Sequence, residues 1–127
     1  MEKTMLPGLL LPETVARQDG SGSEIALENS GTPVLLTLGI TRIIEQEDLD
    51  VSIWGSPDGI QWRPVAYFPQ KSYCGTYSIV LDLAQYPEVR HLRAQWKMGR
   101  WSGGEMGPLF GFYVAGEELK VRRAGAN

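Results

Sequence analysis

A β-hairpin with a tight turn is the feature that most constrains the fold of this chain. Residues 49–62 read LDVSIWGSPDGIQW, and the first half alternates apolar and polar side chains as a half-buried strand does. In the turn, Pro57 has the φ preferred at the second position, and Gly59 can take positive φ and form a bulge. We therefore predict that residues 49–56 and 61–68 pair antiparallel.

The rest of the chain shows further strand patterns and no convincing helical period. The predicted strands are residues 14–17, 24–28, 33–44, 76–83, 89–98 and 109–114, with a flexible loop at 18–23. Side chains on the apolar faces of these strands form the predicted core: Ile53, Ile79, Leu81, Leu92, Trp96, Phe110 and Phe112. About eight strands joined by turns are typical of an all-β, antiparallel β-sandwich or jelly roll.

The chain is predicted to be one domain with short extensions. Its 127 residues are enough to bury a core. We predict an extended N-terminal arm at residues 1–13, a β-sandwich at 14–123 and a tail at 124–127. Prolines and a glycine disfavour regular structure in the arm, yet its four leucines are costly to leave in water. The arm should therefore dock, either on its own domain or, as the assembly hypothesis below requires, on another chain.

Composition and spacing argue against catalysis and against a nucleic-acid partner. The net charge of −3 does not suit phosphate binding. Cys74 is the only cysteine, so no internal disulfide and no cysteine zinc site can form, and a half-buried thiol is expected. One cysteine and one histidine, His91, make no catalytic constellation. Because nucleophile, phosphate-loop and zinc-protease motifs are missing, we expect no enzyme activity and no cofactor.

No apolar run is long enough to span a bilayer, and the N-terminus lacks the features of a secretory signal. We therefore expect a cytoplasmic or particle-associated protein that does not insert into a membrane.

Two charged groups have more than one interpretation. Four carboxylates lie close in sequence and have the oxygen chemistry of a calcium site, but their spacing fits no known loop, so a solvated turn is preferred. They are Glu45, Glu47, Asp48 and Asp50. Arg93 and Lys97 share a strand face with His91, and Arg90 and Arg100 lie near the strand ends. This basic stripe suits a solvated face, or else a phosphate, a carboxylated sugar or an acidic loop of a neighbour.

Two of the four tryptophans are candidates for exposure. Trp54 lies opposite the apolar face of its strand, and Trp101 falls in a glycine-rich loop. Each suits an intersubunit anchor, packing against the second sheet, or stacking on a sugar ring. The interface candidates are Leu6, Leu9, Leu10, Leu11, Trp54 and Trp101. The candidates for an alternative ligand site are Trp54, Arg93, Lys97, Arg100 and Trp101.

An ordered set of residues resembles a pattern found in small bacteriophage structural proteins. The set is Ser56, Asp58, Gly59, Trp62, Phe68, Gly75, Thr76, Leu92, Arg93, Ala94, Pro108, Phe110 and Phe112. It covers about half the chain. The resemblance implies a domain that builds virion surfaces or tails and has no enzyme activity.

The same hairpin also resembles that of discoidin-like, galactose-binding jelly rolls, which bind glycans or lipids through end loops. The leading hypothesis is therefore a non-enzymatic structural protein that self-associates or decorates a phage-like particle. Its expected partners are further copies of this chain or a shell protein. The alternative is a carbohydrate-binding module.

Overall fold

The computed structural model describes residues 8–27, 33–44, 47–71, 73–100 and 109–119, and at 44, 47, 99 and 100 the backbone alone. Within these residues the chain forms nine β-strands and one 3₁₀ turn, Leu83–Gln85. The strands are β1 (Gly8–Ala16), β2 (Gly20–Ser21), β3 (Ile25–Ala26), β4 (Pro33–Ile44), β5 (Glu47–Ser56), β6 (Arg63–Tyr67), β7 (Gly75–Asp82), β8 (His91–Arg100) and β9 (Leu109–Glu118).

The strands form two antiparallel sheets packed face to face. The first sheet has the order β1-β9-β4-β7. The second has the order β2-β8-β5-β6. Strand β3 also pairs with β8, at residues nearer the start of β8 than those that pair with β2. The predicted fold class, an antiparallel β-sandwich, is confirmed, and the described strands number one more than the eight expected.

The core lies between the two sheets and follows the predicted alternation. Leu81, Leu92, Phe110 and Phe112 are buried, and Ile79 packs half-buried against them. The ring of Trp96 meets that of Phe112 edge-on, with centroids 5.3 Å apart. Each large apolar side chain buried in this way contributes about 1.5–3 kcal/mol to folding. The predicted core is therefore the observed one, including Ile53, which is fully buried.

The hairpin forms as predicted. Strand β5 pairs antiparallel with β6, with a register shift between Ile53 and Trp54. Gly59 has a φ of +77°, the conformation that favours glycine in this turn.

The N-terminal segment differs from the extended arm that the sequence predicts. Residues 8–13 belong to β1, an edge strand paired with β9. A register shift between Leu9 and Leu11 lets the consecutive Leu10 and Leu11 both enter the core. Pro12 is tolerated because an edge strand has one unpaired side. Residues 1–7 lie outside the described part of the chain.

Two predicted loops are also partly strand. In the segment predicted to be flexible, Gly20 and Ser21 form β2, which pairs with Trp96 and Gln95 of β8. The acidic segment is not a free turn either, because Glu47 and Asp48 begin β5 and pair with β8.

Candidate functional site

The residues of the hairpin motif stabilise the turn itself. The Ser56 hydroxyl is buried, accepts from the backbone N–H groups of Asp58 (3.2 Å) and Gly59 (2.7 Å), and donates to Asp58 Oδ1 (3.0 Å). Trp62 Nε1 donates to the carbonyl of Gly59 (3.2 Å). This part of the resemblance therefore reflects turn chemistry, and these groups are satisfied without any ligand.

The carboxylate of Asp58 closes the same network. Its Oδ1 accepts from the backbone N–H of Gln61 (3.0 Å) and of Ile60 (2.9 Å). These two hydrogen bonds, that of Gln61 first, hold the pKa of Asp58 below its ordinary value of 3.8. The charge on Asp58 thus stabilises the turn at neutral pH.

The outer side of β7 is an exposed strand edge. All eight residues of β7 pair with β4 in one unbroken register, from Gly75 with Ile40 to Asp82 with Pro33. Among the described strands, none pairs with the opposite side of β7. Residues 75–81 read GTYSIVL, with no proline and no charge. We call this free side the β7 edge; in an antiparallel strand, alternate residues direct their N–H and C=O groups towards it.

The other sheet edges in the described residues carry features that discourage pairing with a further strand. Strand β1 contains Pro12 and two register shifts. Strand β6 has five residues, Pro64 and one register shift. Strands β2 and β3 have two residues each. Prolines, bulges and short strands are the usual ways in which proteins protect sheet edges, and β7 has none of them.

An apolar patch lies on the solvent face of the first sheet, beside the β7 edge. Val80 of β7 is 59% exposed and pairs across strands with Leu35 of β4. Leu9 of β1 is 48% exposed and pairs with Ala115 of β9. We call these four residues the apolar patch. A shallow groove of about 280 Å³ runs between Leu9, Leu35 and Ala115, and Thr37 and Glu117 also line it. Exposed apolar surface next to an unpaired edge suits contact with another protein.

A second surface lies on the solvent face of the other sheet, and we call it the tryptophan face. In the cross-strand register, Arg93 of β8 lies opposite Trp54 of β5, and Gln95 lies opposite Ser52. On the other side of β5, Ser52 lies opposite Tyr67, which is 65% exposed. The tryptophan face consists of Ser52, Trp54, Trp62, Tyr67, Arg93, Gln95 and Lys97.

Arg93 is held within the tryptophan face by an aromatic ring. Its guanidinium carbon lies 4.3 Å from the centre of the Trp62 ring, a cation–π contact. Its Nε is buried and has no hydrogen-bond partner among the described residues. Trp54 is half-buried, and its Nε1 donates to Ser52 Oγ (2.9 Å). Part of the tryptophan face is thus committed to packing within the sheet.

The structure separates the residues that the sequence proposed as interface candidates. Leu10 and Leu11 are buried in their own core, Leu9 lies in the apolar patch, and Trp54 lies on the opposite sheet. Leu6 and Trp101 lie outside the described residues.

Of the alternative ligand residues, the structure brings Trp54, Arg93 and Lys97 to one face. Arg100 ends β8, opposite Glu47, and its backbone alone is described.

The side chains with reactive chemistry do not form a common site within the described residues. Cys74 is exposed, not half-buried as expected. His91 Nδ1 lies 3.4 Å from Glu24 Oε2, without the geometry of a hydrogen bond. In the part of the chain that is described, no group of three or more His, Cys, Asp or Glu side chains could hold a metal ion. The same residues include no helix that is long and apolar enough to cross a membrane.

The chain matches no protein-family model and no curated protein sequence. The functional evidence therefore rests on the surfaces described above.

Sequence reasoning did not single out the β7 edge. The signal was present, because residues 75–81 lack the prolines found in β1 and β6 and carry no charge. What was missing was the strand order, since the same composition in a central strand would indicate nothing more than burial.

Proposed function

We propose that this protein is a non-enzymatic assembly protein that joins other protein chains through the β7 edge. The observation that supports this most is the contrast between the edges. Strands β1, β2, β3 and β6 have protective features, whereas β7 is long and regular, carries no charge from Gly75 to Leu81, and is unpaired on one side among the described strands. An edge of this kind is a template for an added strand.

The energetics favour an interface that combines backbone pairing with apolar contact. An added strand would satisfy the outward N–H and C=O groups of β7, each bond contributing about 0.5–1.5 kcal/mol net. The exposed side chain of Val80, next to Leu35, would lose contact with water as the new strand approached. These gains must exceed the cost of about 4–15 kcal/mol for lost translational and rotational freedom. Several bonds are therefore needed, and the alternate residues of the eight-residue β7 that face the free edge each offer one N–H and one C=O group.

The proposal is tested by placing a charge on the β7 edge. Val80→Lys puts an ammonium on an exposed position of the edge strand, where natural proteins use lysine to prevent pairing. Its matched control is Val15→Lys, since Val15 is 58% exposed on the other edge strand of the same sheet. We expect the native chain and the control to show a mass above 14.1 kDa by sedimentation, and Val80→Lys to shift towards that single-chain mass.

The proposal fails if the native chain has the single-chain mass at all concentrations tested, or if Val80→Lys assembles as well as the control. Melting temperatures of both variants must stay near the native value, because exposed substitutions usually change stability by less than about 0.5 kcal/mol.

A second candidate, carbohydrate binding, is favoured by the tryptophan face. Exposed Tyr67 offers a ring for stacking on a sugar, while Gln95 and Lys97 offer hydrogen-bond donors beside it. This composition suits a flat, neutral saccharide surface, because the carboxylate of Asp50 lies opposite Lys97 in the β5–β8 register.

Titration with a panel of neutral and acidic oligosaccharides tests this candidate, with Tyr67→Ala as the variant that removes the exposed ring. Saturable binding lost in Tyr67→Ala would support a lectin-like role. Equal binding by the variant would exclude the tryptophan face as the site.

A further inference from the structure

We infer that the partner of the β7 edge is β7 of a second copy of this chain, paired antiparallel about a two-fold axis that passes through Ser78. This inference rests on the proposed assembly function and adds the identity of the partner, the orientation and the register. The two four-stranded sheets would then become one continuous sheet of eight strands, with a closed, isologous interface.

The charges at the two ends of β7 favour antiparallel pairing of two copies. At its N-terminal end, Lys71 lies with Nζ 4.2 Å from the centre of the Tyr77 ring. At its C-terminal end is Asp82, the only charged residue of the strand. Parallel pairing would place the Asp82 carboxylates of the two copies side by side, whereas antiparallel pairing keeps them at opposite ends of the interface.

The side-chain pattern of β7 favours a register centred on Ser78. Directly opposite residues of an antiparallel pair share a sheet face. The two-fold axis must therefore lie midway between one residue and the same residue of the second copy. With the axis at Ser78, Tyr77 of one copy lies opposite Ile79 of the other on the inner face, and Thr76 lies opposite Val80 on the outer face. Aromatic–aliphatic and β-branched pairs of this kind stabilise antiparallel sheets. An axis at Ile79 would instead place Val80 opposite the hydroxyl of Ser78 and Asp82 opposite Thr76.

The apolar patch supports the same arrangement. Val80 and Leu35 are cross-strand neighbours at the margin of the first sheet. In the two-fold dimer this margin becomes the middle of a continuous surface, and Val80 gains a neighbour from the second copy on its open side. The exposed Val80 side chain thereby acquires, on its open side, a packing partner that the described residues of the single chain do not provide.

A charge-swap experiment tests the position of the axis directly, because the residue at a two-fold axis lies opposite the same residue of the second copy. Ser78 is exposed, and its hydroxyl lies 3.1 Å from Thr37 Oγ1. In Ser78→Lys, two ammonium groups oppose each other, and in Ser78→Glu two carboxylates do. We expect dimerisation of each variant alone to weaken by at least about tenfold and the equimolar mixture to recover a two-chain mass. Val15→Lys and Val15→Glu, alone and mixed, are the matched control and should all behave as the native chain does.

A second measurement avoids charged substitutions and covers the case in which they disturb the fold. In a Cys74→Ser background, single cysteines replace Thr76, Ser78 or Val80, all of which are exposed, and a short dimaleimide is added. We expect Ser78→Cys to cross-link with itself, and Thr76→Cys to cross-link in a mixture with Val80→Cys. Cross-linking of each variant with itself to equal extents would overturn the antiparallel register.

The outcomes separate this inference from the proposed function. If both Ser78 variants weaken assembly and the mixture does not restore it, the β7 edge remains the interface but the two-fold pairing at Ser78 is wrong. If neither the Ser78 variants nor Val80→Lys changes the mass of an assembled native chain, both proposals are wrong. A native chain with a single-chain mass at all concentrations likewise overturns both.

Discussion

Ser56→Ala should destabilise the fold far more than the removal of one small hydroxyl suggests. The Ser56 side chain is fully buried at the end of β5 and makes three hydrogen bonds within the turn, two from backbone N–H groups and one to Asp58. A net value of about 1 kcal/mol for each bond gives a loss of about 2–3 kcal/mol. The two backbone N–H groups that lose their acceptor favour the upper end of this range.

The matched control lies in the same strand. Ser52→Ala removes one hydrogen bond, from Trp54 Nε1, at a half-buried position on the solvent face of β5. Its cost should be below about 1 kcal/mol, because water can replace this partner. The comparison therefore separates the buried turn network from the loss of a hydroxyl in general.

Urea unfolding followed by tryptophan fluorescence gives both free energies, at one protein concentration for all variants. For a domain of this size, the loss in Ser56→Ala corresponds to a fall in melting temperature of about 8–12 °C, with an unchanged dependence of unfolding free energy on urea. If Ser56→Ala costs no more than Ser52→Ala, the turn is not held by the Ser56 hydroxyl, and the explanation of the hairpin motif given above is wrong.

Three further predictions concern the turn and the second sheet. Gly59→Val should cost about 1–2 kcal/mol in urea unfolding, because φ is +77° and the new side chain would approach Glu24; Gly59→Asn should cost less, and equal costs would contradict this explanation. Gly20→Ala should lower the melting temperature, because its Cβ would lie 2.6 Å from Cζ2 of the core residue Trp96; an unchanged temperature would show that the ring moves freely. Asp58→Asn should be less stable than the native chain at neutral pH. Because the folded state lowers the pKa of Asp58, this difference should shrink as the pH falls through that pKa, and a pH-independent difference would contradict the assignment.

Local patterns were sufficient to predict the hairpin and the inner faces of the strands. In β8, the alternation of Leu92, Ala94 and Trp96 with polar neighbours predicted which side chains would be buried, and all three are. The same rule placed Trp54 on the outer face of β5. Such predictions succeed because side-chain direction in a strand has a period of two residues, and any single segment of sequence contains that information.

The N-terminal segment shows where local reasoning was insufficient. Leu10 and Leu11 are adjacent, so strict alternation cannot bury both, and Pro12 further weakens a strand assignment. Pairing with β9 provides a register shift that turns both leucines inward. Gly20 gives a similar case: it pairs with Trp96, which is distant in sequence, and lies so close to the Trp96 ring that a Cβ would collide with it.

The sequence by itself thus determined the all-β class, the turn at Gly59 and the faces of the principal strands, because turn conformation and alternation depend on neighbouring residues. Only the tertiary structure decided that β7 lies at the end of its sheet, that the apolar patch borders it, and that Trp54 and Arg93 meet on the opposite sheet. Strand order arises from pairing between segments that are far apart in the chain, so whether an edge is covered or free is a property of the whole fold.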